Sequence, residues 1–199
     1  MDTACESSRV IPANSYQRVR WKNGTGWTRE IARSPSHGDW SWRLSIAEIE
    51  EDASFSQFED VDRELVLLSG NGLQLCFDDG DIHDLLPPHD RIRFAGERRV
   101  TGRLIDGPTQ DFNLMWRRDR VDARLWHRPV VGPMVIFVDP GAVWAAFLMA
   151  GQARFADGSL LSGLESGDTA LLSGGSARQR FVLDGGGEVL VIQLTAAEV

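Results

Sequence analysis

Short apolar runs, each closed by a glycine or aspartate turn, recur along the chain and constrain its fold more than any other feature. Trp42–Ala47, Leu65–Leu68, Leu73–Phe77, Val135–Val138, Ala170–Leu172 and Val189–Leu194 are of strand length. Between them stand the turn dipeptides Asp79-Gly80, Asp157-Gly158 and Asp184-Gly185. Segments with a 3.6-residue apolar period are scarce, and Asn113–Arg124 is too short and too charged to read as a helix. The pattern predicts an all-β chain.

An internal repeat refines this. Phe77, Asp79 and Gly80 recur as Phe155, Asp157 and Gly158, and Leu86 and Asp90 recur as Leu164 and Asp168, each pair 78 residues apart. A second apolar run follows each late aspartate, Ile92-Arg93-Phe94 in one case and Ala170-Leu171-Leu172 in the other. A gap-free offset across two turns points to duplication, so two similar sandwiches or barrels are expected. The second copy is chemically poorer. From Gly141 onward there is no histidine and no tryptophan after Trp144, and Gly185-Gly186-Gly187 is a glycine run. The site is therefore expected in the first copy.

With 199 residues, 42% hydrophobic and 25% charged, the chain can bury a sizeable core. A net charge of −8 argues against nucleic-acid and anionic-membrane partners. No apolar run approaches the roughly 20 residues a spanning helix needs. The opening MDTACESSRV has an early acid and no apolar stretch, so it does not read as a signal peptide, and a cytoplasmic location is expected. Cys5 and Cys76 are not expected to form a disulfide scaffold.

The stretch WKNGTGWTRE, Trp21–Glu30, is dense in polar groups. Gly24-Thr25-Gly26 lacks the spacing of a phosphate loop, and Arg29 occupies the third glycine position of a dinucleotide fingerprint. It reads as a turn in which Asn23-Gly24 supply positive φ, leading into a strand with Thr28 and Glu30 on one face. In WRLSIA, Arg43, Ser45 and Ala47 lie opposite Trp42, Leu44 and Ile46. In DFNLMW, Asp111, Asn113 and Met115 lie opposite Phe112, Leu114 and Trp116. If the polar faces point inward, Arg43, Ser45, Asn113 and Arg63 converge between apolar walls. Taken singly, the arginines read as structural ion-pair partners of Glu48, Glu64 or Asp111. Taken together they favour a pocket, because a buried guanidinium must be paired and a small anion supplies the partner. Planar guanidinium forks match carboxylates, so a small carboxylate is the expected ligand.

Four blocks, WKNGTGWTREIA (Trp21–Ala32), WRLSIAEI (Trp42–Ile49), FSQFEDVDRELVLLSGNGLQL (Phe55–Leu75) and DFNLMWRR (Asp111–Arg118), together resemble the HutD/Ves family. The resemblance implies a cupin fold with two cupin-like β-barrels in one chain, a bicupin. It also implies an association with histidine utilisation, no established enzymatic activity, a small carboxylate ligand and a regulatory role. On that basis residues 1–14 are expected to be a flexible tail, 15–120 the first barrel carrying the site, and 121–199 a second barrel serving mainly as scaffold. Metal-binding cupins use a His-x-His pair, a glutamate and a later histidine. None of His37, His83, His89 and His127 forms such a pair. If Gly70 is the turn glycine of that pattern, Arg63 stands at the glutamate position and Gln57 and Glu59 at the His-x-His positions. A guanidinium cannot ligate a cation, so no metal and no cofactor are expected. His83 and His89 are expected to be solvated loop residues.

The resulting expectation is a metal-free cupin that senses a carboxylate metabolite. Arg63 and Arg43 hold the anion, Asn113, Ser45 and Thr28 orient it, Trp42 forms an apolar wall, and Lys22 stands beside it. One alternative is a metal-independent isomerase or lyase using Glu30 or Lys22 as acid and base. Another is a non-catalytic structural protein, with a homodimer formed through an exposed sheet.

Overall fold

The computed structural model describes residues 7–156 and 159–197. Cys5 and the turn Asp157-Gly158 lie outside the described residues. The strands are β1 (Arg9–Ile11), β2 (Gln17–Arg20), β3 (Gly26–Ser34), β4 (Trp42–Ile49), β5 (Ala53–Ser54), β6 (Val61–Ser69), β7 (Leu73–Phe77), β8 (Ile82–Leu85) and β9 (Arg91–Ala95). They continue with β10 (Val100–Leu104), β11 (Thr109–Arg117), β12 (Val121–Val131), β13 (Met134–Val138), β14 (Val143–Phe155), β15 (Leu164–Glu165), β16 (Thr169–Ser173) and β17 (Gln179–Ala196). One short 3₁₀ turn, Ala13–Ser15, is the sole helical element among the described residues.

The chain divides into two compact units. Tyr16–Arg120 form one, and the described residues before Tyr16 together with those from Val121 onward form the other. In the Tyr16–Arg120 unit, an antiparallel sheet runs in the order β2-β3-β4-β11-β6-β9, and a smaller one in the order β5-β10-β7-β8. Ile49, Leu65, Leu67 and Phe94 from the large sheet share one core cluster with Leu73, Leu75, Phe77, Leu85 and Val100 from the small one. The two sheets are therefore layers pressed together by apolar burial.

The other unit is a single sheet in the order β1-β16-β14-β17-β12, with β13 added to β17 and β15 to β14. Ala146 and Phe155 lie near opposite ends of β14, about 30 Å apart on a straight strand. Both belong to one core cluster, with Leu183 and Val191 of β17, so the sheet curves over that core. Glycines at the bend allow it. A β-carbon on Gly187 (φ +140°) would overlap the Ala150 carbonyl oxygen, whereas one on its neighbour Gly186 would meet nothing within 4 Å.

Two expectations need correction. The described sheets are open, with distinct edge strands, rather than closed barrels. Opposing layers are joined by side-chain packing and not by a continuous hydrogen-bond ladder. The segment before residue 15 is not a loose tail over its described part. Arg9–Ile11 pairs with β16 in the register Arg9↔Leu171 to Ile11↔Thr169, and the Ala13 N–H donates to the Asp168 carboxylate at 2.8 Å. The physical reason is the free edge of β16, whose backbone groups need partners that this segment supplies.

The repeat has a structural counterpart. The Asp90 carbonyl accepts from the Leu67 N–H and the Asp168 carbonyl accepts from the Leu148 N–H, each at 3.0 Å. In both cases the aspartate immediately precedes a strand that pairs with the strand it caps, β9 with β6 and β16 with β14. Gly187→Ala should lower stability by about 3 kcal/mol, through left-handed strain plus backbone overlap, while Gly186→Ala should stay within about 0.5 kcal/mol of wild type. Chemical denaturation of the two variants checks this; equal effects would contradict the bend assignment.

Candidate functional site

The WKNGTGWTRE turn closes one end of the large sheet. Gly24 N–H donates to the Trp21 carbonyl and Trp21 N–H to the Gly26 carbonyl, each at 3.0 Å. The Asn23 carboxamide oxygen accepts from the Thr25 N–H at 3.2 Å and from its hydroxyl at 2.8 Å, a local Asx arrangement. Only Gly24 takes positive φ, at +78°, so the expectation that Asn23 shares the left-handed region does not hold. The Asn23 side chain fixes the turn by hydrogen bonding instead.

Strand register then assembles a polar floor. Across β3, β4, β11 and β6, Thr28, Ala47, Asp111 and Leu67 align in one row, and Glu30, Ser45, Asn113 and Leu65 in the next. A third row brings Arg43, Met115 and Arg63 side by side. Directly paired residues in a sheet project to the same side, so these rows share one face. Most of them line a cavity of about 590 Å³, whose remaining walls include Trp21, Lys22, Phe55 and Phe58. That volume is within the range of small-molecule sites.

Arg63 is the most buried cation in it. It is 6% exposed, and its Nη1 reaches the Ser56 carbonyl only at 3.4 Å. Its guanidinium carbon lies 5.2, 5.9 and 5.4 Å from the ring centres of Phe55, Phe58 and Phe94. Nε has no hydrogen-bond partner, and no carboxylate pairs with the group among the described residues. Burial, followed by repulsion from Arg43, pulls the guanidinium pKa down to about 10. The aromatic faces supply some quadrupole attraction but no acceptor.

Arg43 differs. Its Nε donates to Glu30 at 2.8 Å, and Arg33 approaches the same carboxylate at 3.5 Å. Arg43 thus has a protein partner, and that partner is Glu30 rather than Glu48, Glu64 or Asp111. Glu30, weighed as a catalytic base, is the counter-ion of this pair. The Thr28 hydroxyl accepts from the Trp21 indole N–H at 2.8 Å, which leaves its own proton to donate into the cavity. Asp111 is fully buried. One of its carboxyl oxygens accepts from the Thr109 hydroxyl at 3.0 Å, and the other, Oδ1, has no partner. Burial, only partly offset by that hydrogen bond, pushes its pKa up to about 7.

Of the expected site residues, Arg63, Arg43, Asn113, Ser45, Thr28 and Lys22 all line the cavity. Trp42 does not. It alternates to the opposite face of β4, paired with Trp116, so the aromatic walls come from Trp21, Phe55 and Phe58 instead. Gln57 bonds the Glu97 carbonyl and Glu59 is exposed; neither lines the cavity. No group of three or more His, Cys, Asp or Glu among the described residues is arranged to hold a metal ion. His83 lies in β8 with a buried, unpartnered Nε2, and His89 Nδ1 contacts the Leu67 carbonyl at 3.0 Å, so neither is the freely solvated loop residue expected. No helix among the described residues is long and apolar enough to cross a membrane.

Asp111 was legible as a cavity residue from alternation but not as an unpaired one. Its folded pKa lies above the ordinary aspartate value, so the native state holds the extra proton between about pH 4 and pH 7. Stability contributed by this site therefore falls as pH rises through that window and is flat above it. Asp111→Asn should gain about 2–4 kcal/mol relative to wild type between pH 5 and pH 8. Urea denaturation at the two pH values reads the difference, and parallel profiles would show that the carboxyl is not desolvated.

Comparison with known proteins places the chain in a family. Residues 13–191 match the HutD family. The "uncharacterized 21.2 kDa protein in hutC 3′ region" of Pseudomonas putida is 41% identical over 119 residues, which are 59% of this chain and 62% of that one. Protein Ves of Cronobacter sakazakii is 42% identical over 106 residues, 53% of this chain and 58% of that one. The chain thus spans about 60% of the length of these curated relatives. HutD from Pseudomonas fluorescens SBW25, solved in a formate condition, superposes with a TM-score of 0.83 at 32% identity, covering 96% of this chain and 100% of that one. The all-β fold is cupin-like, a likeness that extends to Ylba from E. coli at a TM-score of 0.73 and 10% identity, where fold alone is shared. With a family match over residues 13–191, the chain belongs to the HutD family.

Proposed function

We propose that the chain binds a small carboxylate metabolite in the Arg63 cavity without a metal, and acts as a sensor or governor of histidine or related amino-acid catabolism. The observation that carries this reading is the buried Arg63 guanidinium, 6% exposed and without a carboxylate partner. A desolvated cation of this kind is costly unless an anion completes it, and a carboxylate matches its fork. Arg43 adds positive potential, while Thr28 and Ser45 offer hydroxyls for orientation. The relative in the hutC 3′ region and the likeness to HutD support the metabolic setting. The two units are further read as duplicated cupin-type units, on the strength of the matching Asp90 and Asp168 placements.

Thermal unfolding with formate, glutamate, formylglutamate, urocanate and histidine tests the reading. A ligand at 100 times its Kd stabilises the protein by about 2.7 kcal/mol. At least one should raise the melting temperature of wild type, and a panel without any shift would refute binding of this class. Arg63→Met should abolish the ligand-dependent shift while retaining or raising the ligand-free melting temperature, because it removes an unpaired buried charge. A variant that keeps the shift would clear Arg63 of the role.

A further inference from the structure

The polar lining of the cavity has two ends with opposite requirements. At one end Arg63 Nε is a buried donor without an acceptor, with Arg43 adding a second guanidinium. Away from that end, Asn113 Oδ1 in the middle row and Asp111 Oδ1 in the far row are buried acceptors without a donor. Asp111 is 0% exposed and Asn113 7% exposed, and both side chains line the cavity. These are therefore demands the protein itself leaves open.

Neighbouring side chains do not meet the acceptor demand. The row containing Asp111 offers Thr28, Ala47 and Leu67, of which only Thr28 is polar. The Thr28 hydroxyl accepts from the Trp21 indole and keeps its own proton, but it makes no hydrogen bond to Asp111 Oδ1. The charged groups of the cavity, Arg20, Lys22, Arg43 and Arg63, form no hydrogen bond or ion pair with Asp111. Along β11, Asp111 stands four positions from Met115, the register partner of Arg63. That separates the two ends by about 13 Å at the backbone. Side chains reaching in from both ends shorten the gap to a spacer of a few bonds. A plain monocarboxylate would satisfy the guanidinium end and leave the acceptors dry, which is the expensive arrangement for a buried polar group.

We infer that the cavity selects an amphoteric ligand, with a carboxylate at the Arg63 and Arg43 end and a hydrogen-bearing nitrogen, an ammonium or an N–H heterocycle, at the Asp111 end. The inference rests on the carboxylate reading of the same cavity and deepens it. Asp111 supplies a charge-assisted acceptor for the nitrogen with Thr28 beside it in the same row, and Asn113 and Ser45 border the spacer from the middle row. Nothing in this assignment requires a reaction; it specifies which molecules the cavity distinguishes.

Matched pairs of probes separate the two ends. Isothermal titration calorimetry at about pH 8, where ordinary amines are protonated, would compare butyrate with γ-aminobutyrate, valerate with δ-aminovalerate, and caproate with ε-aminocaproate. For at least one spacer length the amino compound should bind wild type tenfold or more tightly than its plain acid. In Asp111→Asn, a near-isosteric change, that advantage should disappear. If plain acids bind as tightly as their amino partners at every length, the inference is overturned while the carboxylate reading stands. Retention of the amino preference in Asp111→Asn would overturn it as well. If neither series binds at any length, both readings fall together. The wild-type comparison decides the matter alone should the variant fail to fold.

Discussion

A guanidinium held in an aromatic cleft without a carboxylate is the constraint on which the rest of the site turns. Arg63 is ringed by Phe55, Phe58 and Phe94, and its one hydrogen-bond contact to protein is the long one to the Ser56 carbonyl. Removing a cation from water without pairing it costs several kcal/mol, even after relaxation. That cost is visible in the lowered pKa of the group, near 10. A chain whose core positions elsewhere are filled by Leu, Ile, Val and Phe could place an apolar residue here at a gain in stability. The arginine therefore reads as a recognition group, maintained against the preference of the fold.

The scaffold keeps that group unpaired by assigning nearby acids elsewhere. Glu30 is taken by Arg43 and Arg33, Glu48 by Arg18 and Arg29, and Asp62 by Arg93 and Arg118. Glu64 projects to the other face of β6 and approaches Arg91 at 3.4 Å. Asp111 shares the cavity but is remote from Arg63 in register, and burial raises its pKa to about 7. In the other unit no described residue carries a buried side-chain polar atom without a hydrogen-bond partner. Three of the buried polar atoms without a hydrogen-bond partner among the described residues, Arg63 Nε, Asp111 Oδ1 and Asn113 Oδ1, thus line one cavity of one unit.

Much of this was legible in the sequence, because strand alternation is a local rule. It put Arg43 with Ser45 and Asp111 with Asn113 and Met115 on common faces, and the register confirms that those faces coincide. The same rule, applied strictly, excludes Trp42 from the cavity. What alternation cannot give is pairing between strands. Glu30 pairs in register with Ser45, which sets it diagonally beside Arg43 on one face, and no residue pattern within either strand announces that pairing. The aromatic walls Trp21, Phe55 and Phe58 lie outside regular strands, where no periodicity marks them. The β1–β16 pairing was equally hidden, since three residues at one end of the chain meet a strand near the other.

The central claim, that Arg63 is the anion-binding group, is most directly tested by NMR of the arginine Nε–H groups during a formate titration. Arg63→Met identifies the Arg63 signal by its disappearance. The account predicts that this signal moves saturably with formate and that the exposed arginines do not follow it. A stationary Arg63 signal at formate concentrations that shift other arginines, or that shift none, would contradict it.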